Sequence, residues 1–244
     1  MSSHNRWRKR FSINPQTVAL RMIWCDWRVC AILSGMDMSE LILPENLVPT
    51  DLAGQGRRSV TFKAKYLGEV VALKVYRKDF INKYQQRYGL NIGHFEFSRN
   101  QAFYSVESLQ PYAARPIKVL GIDDGYSLCF VQEFIDGPAL LELAQNNRGL
   151  PQSVLDAGRQ ICQAAEKSGL HDLDLFYKNV LVRKQDGAWL PVIHDFNLVP
   201  QYMYPPNPFL ALAYFTGLRK RSHRDWRCLK GWQDCSDACR GGYT

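Results

Sequence analysis

His171 to Asn197 reads HDLDLFYKNVLVRKQDGAWLPVIHDFN, and two pieces of it carry chemistry. Asp174 and Asn179 stand in a D-x-x-x-x-N spacing, and Asp195-Phe196-Asn197 follows downstream. Between them, Val180-Leu181-Val182 and Leu190-Pro191-Val192-Ile193 are two short apolar runs around Asp186-Gly187, a dipeptide suited to a tight hairpin turn. A hairpin there places Asn179 and Asp195 on neighbouring strand ends, close enough to share a metal. Hard divalent cations take oxygen ligands, which both residues offer, and Asp174 is free to accept the proton of an attacking hydroxyl. Phosphoryl transfer needs this kind of set, because there the protein mainly positions groups and neutralises charge.

The preceding chain supplies what that stretch lacks. Gly54, Gly56 and Ser59 keep the G-x-G-x-x-G spacing of a phosphate-covering loop, with Ser in place of the third glycine, and Val60 is taken as the valine that follows it. Thr61 to Tyr66 alternates as a strand, Leu67-Gly68-Glu69 turns, and Val70 to Tyr76 reads as the next strand. Val71-Ala72-Leu73-Lys74 within it nearly matches V-A-I-K and puts Lys74 where it can reach nucleotide phosphates. A helix is expected over Phe95 to Ser108, with Phe95, Ala102, Phe103 and Val106 as a partial apolar face. Glu96 is its first choice as the acid that holds Lys74, and Glu107 the second. Strands are expected over Ala114 to Gly121 and Ser127 to Phe134, joined at Asp123-Asp124-Gly125. The second leads through Glu133 and Phe134 into Ile135-Asp136-Gly137 as a connection between lobes. Helices over Pro138 to Gln145 and Pro151 to Ser168 follow, the latter stopped by Gly169 and cored by Leu155, Ile161, Ala164 and Ala165. Further on, Tyr202-Met203-Tyr204-Pro205-Pro206 reads as a loop, and Phe209 to Leu218 as a short apolar helix.

From Glu40 to Thr216 the chain resembles the protein-kinase-like superfamily: glycine loop, strand lysine, hinge, catalytic loop and metal-binding triplet stand in order. Within it, the short N-lobe and the D-L-x-x-K-N loop look most like the bacterial lipopolysaccharide kinase (Kdo/WaaP) family. The resemblance implies an α+β, two-lobed fold with an antiparallel-sheet N-lobe and a short, mainly helical C-lobe. It implies ATP and Mg2+ as cofactors, with Asp174 as base, Lys74 on phosphates, Glu96 positioning it, and Asn179 and Asp195 on the metal. Gly54, Gly56, Ser59, Val60, Ala72, Lys74, Glu133 and Phe134 would line the nucleotide, with the hinge backbone on adenine. The implied acceptor is a sugar or glycolipid hydroxyl of lipopolysaccharide-core type, met in the cytoplasm at the inner face of the membrane, with the Tyr202 to Pro206 loop beside it. Departures are Asp172 where the pattern has His, His171 one place early, Asn197 in place of Gly, and no A-P-E among the residues after Asp195. They leave two alternatives open: a soluble small-molecule or protein kinase, and a pseudokinase that binds nucleotide without turnover.

The 244 residues and their net charge of +8 suit a soluble globular chain whose basic excess lies at its ends. Residues 1–35 carry Arg6, Arg8, Lys9, Arg10, Arg21 and Arg28 against Asp26, and residues 218–244 carry seven Lys and Arg against Asp225, Asp234 and Asp237. Cations at the ends fit peripheral contact with an anionic membrane better than a nucleic-acid groove. The apolar run from Val18 to Leu33 is broken by Arg21, Asp26 and Arg28, which argues against a membrane span or a signal peptide. The organisation expected is a basic extension over 1–37 that need not be ordered, an N-lobe over 38–134, a C-lobe over 135–218, and a basic aromatic tail over 219–244. Seven cysteines at irregular spacing point to reduced thiols, and Cys228, Cys235 and Cys239 near His223 lack the C-x2-C spacing of a zinc knuckle.

Overall fold

The computed structural model describes residues 43–121 and 128–241. The expected N-terminal extension and the Asp123-Asp124-Gly125 turn lie outside the described residues. Strands β1 (Leu47–Gln55), β2 (Ser59–Tyr66), β3 (Glu69–Tyr76), β4 (Pro116–Gly121) and β5 (Leu128–Glu133) form an antiparallel sheet in the order β1-β2-β3-β5-β4. Strand β2 alternates, with Val60, Phe62 and Ala64 buried and Lys65 out in solvent. Strand β3 is central and buried on both faces from Val71 onward, so that stretch reads as a continuous apolar run broken only by Lys74. Val71, Leu73 and Val75 join the N-lobe core on one face, and Ala72 and Lys74 share the other.

Two helices follow β3. The first, α1 (Lys78–Tyr88), had no counterpart in the reading of the sequence, and it stops at Gly89 with φ 66°. The second, α2 (Ile92–Tyr104), starts earlier than expected because the Asn91 side chain caps it, accepting from the His94 amide at 3.1 Å. It also ends before Ser108, and Ala102, expected on its apolar face, is exposed. Its buried stripe is Ile92, Glu96, Asn100 and Phe103, so two polar residues interrupt the apolar period.

The C-lobe contains α3 (Leu140–Asn146), α4 (Gln152–Lys167), the hairpin β6 (Val180–Gln185) and β7 (Ala188–Ile193), α5 (Pro208–Phe215) and α6 (His223–Arg240). The hairpin turns at Asp186 and Gly187, both with positive φ, as a two-residue turn of this hand requires. Helix α4 ends before Gly169, whose φ is 71°, and it buries Leu155, Ile161 and Ala165. The boundary drawn at residue 218 is corrected by α6, which is part of the C-lobe core. Trp232 is fully buried there, donating from Nε1 to the Leu175 carbonyl at 2.7 Å, and Leu229 packs beside it. Cys228, Cys235 and Cys239 lie half-buried against the same core.

The lobes are joined where Gly137 runs against β6. A Cβ on Gly137 would stand 1.8 Å from the Val182 carbonyl oxygen, and the Val182 amide in turn donates to the Pro138 carbonyl at 2.9 Å. Gly137→Ala must therefore push the connection off β6. We expect a loss of about 2 kcal/mol, read as a shift in the urea midpoint at unchanged slope.

Candidate active site

Lys74 on β3 is 4% exposed, and its ammonium lies 2.7 Å from Glu96 on α2 and 3.2 Å from Asp195 after β7. Burial alone would lower its pKa, but Asp195 and Glu96 raise it, so the cation stays charged. Glu96 is fully buried, also accepts from the Tyr76 hydroxyl and takes the Phe196 amide at 3.2 Å. It, not the exposed Glu107, is the acid that holds the lysine. Burial pushes Asp195 up, yet Lys74 and neighbouring donors outweigh it, so its carboxyl is held below the usual range and remains anionic. Phe196 is buried and tilts against Phe103 of α2 at 5.3 Å between ring centroids, which keeps Asp195 turned toward Lys74.

The hairpin β6/β7 brings the rest of the set together. Val180 pairs with Ile193, so Asn179 and Asp195 leave adjacent strand ends, as the sequence implied. Asn179 hydrogen-bonds to Asp174, whose pKa is raised by burial and by the nearby Asp195 charge. Asp174 and Asp172 both hold positive φ, 56° and 57°, an uncommon conformation for residues other than glycine. Two side chains that sequence reasoning did not select hold this loop. Asp225 of α6 accepts the Asp172 amide at 2.9 Å and the Leu173 amide at 2.8 Å. Arg99 of α2 donates to the carbonyls of His171 at 2.6 Å and Asp172 at 3.0 Å. These contacts brace the loop. Asp172 itself accepts the Gln201 amide at 2.6 Å and pairs with Arg224 at 3.4 Å, tying the loop to the segment after Asn197.

The glycine loop lies at the β1–β2 turn, where the Gly56 amide donates to the Ser59 carbonyl at 2.9 Å. Neither Gly54 nor Gly56 needs a left-handed φ. A Cβ at Gly54 would meet nothing within 4 Å, so the folded chain itself sets no steric demand for glycine there. Val60 is corrected: it pairs with Val75 and points into the N-lobe core. The strand register instead puts Thr61 opposite Lys74 and Lys63 opposite Ala72 on the cleft face, and Thr61 was missed. Lys63 lies over the Phe134 ring at 4.9 Å. The Glu133 carboxylate is taken by Arg183 at 2.7 Å and the Arg115 amide at 3.0 Å, and its own amide donates to the Arg115 carbonyl at 2.9 Å, so neither its side chain nor its N–H is free for a ligand. Asn197 is buried and accepts from Arg58 of the glycine loop, while its carbonyl takes the Tyr84 hydroxyl at 3.2 Å.

No cluster of three or more His, Cys, Asp or Glu side chains able to hold a metal occurs among the described residues. The donors that are present, one anionic carboxylate and one amide oxygen, still fit magnesium, which is usually held by one or two protein ligands together with substrate phosphates.

A sheet lobe and a helical lobe, with the lysine-glutamate pair and the two loops between them, define the protein-kinase-like fold. Solved structures agree. The chain is similar to the Mycobacterium tuberculosis PknI kinase domain at a TM-score of 0.56 and 16% identity, covering 82% of this chain and 75% of that one. A double-mutant form of that domain gives a TM-score of 0.53 and 17% identity over 80% and 75% of the two chains. No protein-family model matches the chain, and no curated protein sequence matches it.

Proposed function

We propose that the protein transfers the γ-phosphoryl group of ATP to a hydroxyl of a lipopolysaccharide-core-type sugar or related glycolipid. The observation that carries the phosphotransferase reading is Lys74 gripped by Glu96 and Asp195 with Phe196 packed inward, the arrangement such a site needs for turnover. Asp174 takes the hydroxyl proton as the new oxygen–phosphorus bond forms and the bond to the β-phosphate oxygen breaks, releasing ADP. Lys74 binds phosphate oxygens, and Asn179 and Asp195 would hold Mg2+, which when bound neutralises charge on the β- and γ-phosphates. The pseudokinase alternative is disfavoured by the intact Lys74, Asp174, Asn179 and Asp195.

The glycolipid part of the reading draws support from α5. None of its residues is buried; Phe209 is 85% and Phe215 90% exposed, with Leu218 at 86% just beyond. Arg219-Lys220-Arg221 follows directly. Apolar side chains beside consecutive cations suit the interface of an anionic bilayer. No described helix is long and apolar enough to cross a membrane. A Phe209→Ser/Phe215→Ser variant should sediment with phosphatidylglycerol vesicles about tenfold less than the unmodified chain. Melting should stay unchanged, because the replaced rings are solvent-exposed.

The direct test is ATP turnover with Mg2+, using deacylated lipopolysaccharide core and casein as parallel acceptors. Phosphorylated core is the expected product. Phosphorylated casein alone would favour a protein acceptor, a reading that the kinase-domain neighbours support. Nucleotide binding with no product on either acceptor would sink the transferase reading.

A further inference from the structure

A second cavity, of ≈ 470 Å³, opens between the β1–β2 turn, α1 and the segment after Asp195. It is not the nucleotide cleft, since neither Lys74 nor the hinge residues Glu133 and Phe134 line it. Arg57, Arg58, Lys83, Arg87 and Arg224 do line it, against the single acid Asp79. Asp79 is taken by Lys83 at 3.2 Å, and Arg224 pairs with Asp172. Among the described residues, Arg57, Arg58 and Arg87 form no salt bridge; Arg58 stacks on Phe80 and Arg87 on Tyr88. Asn197 also lines the cavity, and its Nδ2 is buried with no hydrogen-bond partner in the protein. Tyr204 closes one side, its ring edge-on to Tyr88 at 5.2 Å. Guanidinium groups with no carboxylate partner, together with a buried N–H that has no acceptor, offer the donors that an anion needs.

Its position ties it to the reacting centre. Arg58 bridges from the glycine loop to Asn197, next to Phe196 and Asp195. Arg58 and Arg224 also lie close enough to Asp174 to act on its charge. An anion held here therefore sits one step from the base while leaving the phosphate-binding lysine free. We propose that this cavity is an anion subsite that holds a phosphate monoester or a carboxylate carried by the acceptor. The word acceptor rests on the phosphotransferase reading; the anion site rests on the cavity alone.

Calorimetric titration of the full chain, saturated with Mg2+ and a non-hydrolysable ATP analogue, tests it with inorganic phosphate, glucose 6-phosphate and glucose. Phosphate and glucose 6-phosphate should bind and glucose should not. Arg57→Gln/Arg87→Gln, two exposed positions whose loss should leave melting unchanged, should weaken both anions at least tenfold and the analogue less than twofold. Equal anion binding by that variant, absence of anion binding, or anion binding seen only when the analogue is left out would each overturn the proposal. Arginine-dependent phosphate binding in a protein that binds no nucleotide would overturn the phosphotransferase reading and leave the anion site standing. The converse result would overturn the anion site alone.

Discussion

The Asp174→Asn variant is expected to lose about a thousandfold in turnover, the size of a general base's contribution, while binding an ATP analogue as the unmodified chain does. The amide keeps the shape of the carboxylate and can still meet Asn179, but it cannot accept a proton. Its neighbours are not left with a new unpaired charge, because Asp195 remains held by Lys74 at 3.2 Å. A second readout separates chemistry from misfolding. Burial, and then the Asp195 charge, raise the Asp174 pKa above the ordinary aspartate value. The base works only when ionised, so turnover in the unmodified chain should climb with pH through that raised pKa and then level off. The asparagine variant should lack this acidic limb and retain only a low residual rate. Initial rates across pH 4.5–8, with nucleotide affinity measured at the same points, check both parts. A residual rate within tenfold of the original would remove Asp174 from the role of base.

How much of this was legible in the sequence depends on whether one short segment carried the signal. Lys74 could be placed because Val70 to Tyr76 is an apolar run with one charge in it, and Asn179 and Asp195 because Asp186-Gly187 fixes the hairpin that joins them. Glu96 was the better of two acids, but the stripe that positions it includes Asn100, which spoils the apolar period and misplaced the ends of α2. Val60 was misassigned for a local reason: side chains alternate in a strand, so an error of one residue turns the side chain from cleft to core. Helix α6 was read as a tail because its exposed face is crowded with Lys, Arg and Asp while only a narrow stripe, Asp225, Leu229, Trp232 and Ser236, is buried. The bracing contacts had no local signal at all. Asp225 lies 53 residues from Asp172, and only the folded chain brings them together.

That distant contact carries the second large effect. Asp225→Ala removes the acceptor for two buried amides, those of Asp172 and Leu173, and withdraws a carboxylate that faces Arg99. The loop it releases contains two left-handed residues, Asp172 and Asp174, whose conformation persists only while the surroundings enforce it. A loss of about 3 kcal/mol in unfolding free energy is expected, as for buried donors stripped of a charged partner. Turnover per folded molecule should fall as well, because Asp174 no longer stands in a fixed position beside Asn179. The pH dependence carries a sign. Burial pushes the Asp225 pKa up to about 6, against the two amides that lower it. The folded chain thus binds this proton more tightly than the unfolded one, and Asp225's contribution declines as pH rises through the interval between the ordinary aspartate value and about 6. The gap in stability between the unmodified chain and the alanine variant should accordingly be wider at pH 5 than at pH 7. Urea unfolding at both pH values measures it. A gap that widens instead toward pH 7 would mean that the ionised carboxylate is stabilised by its amides and Arg99 by more than burial costs it.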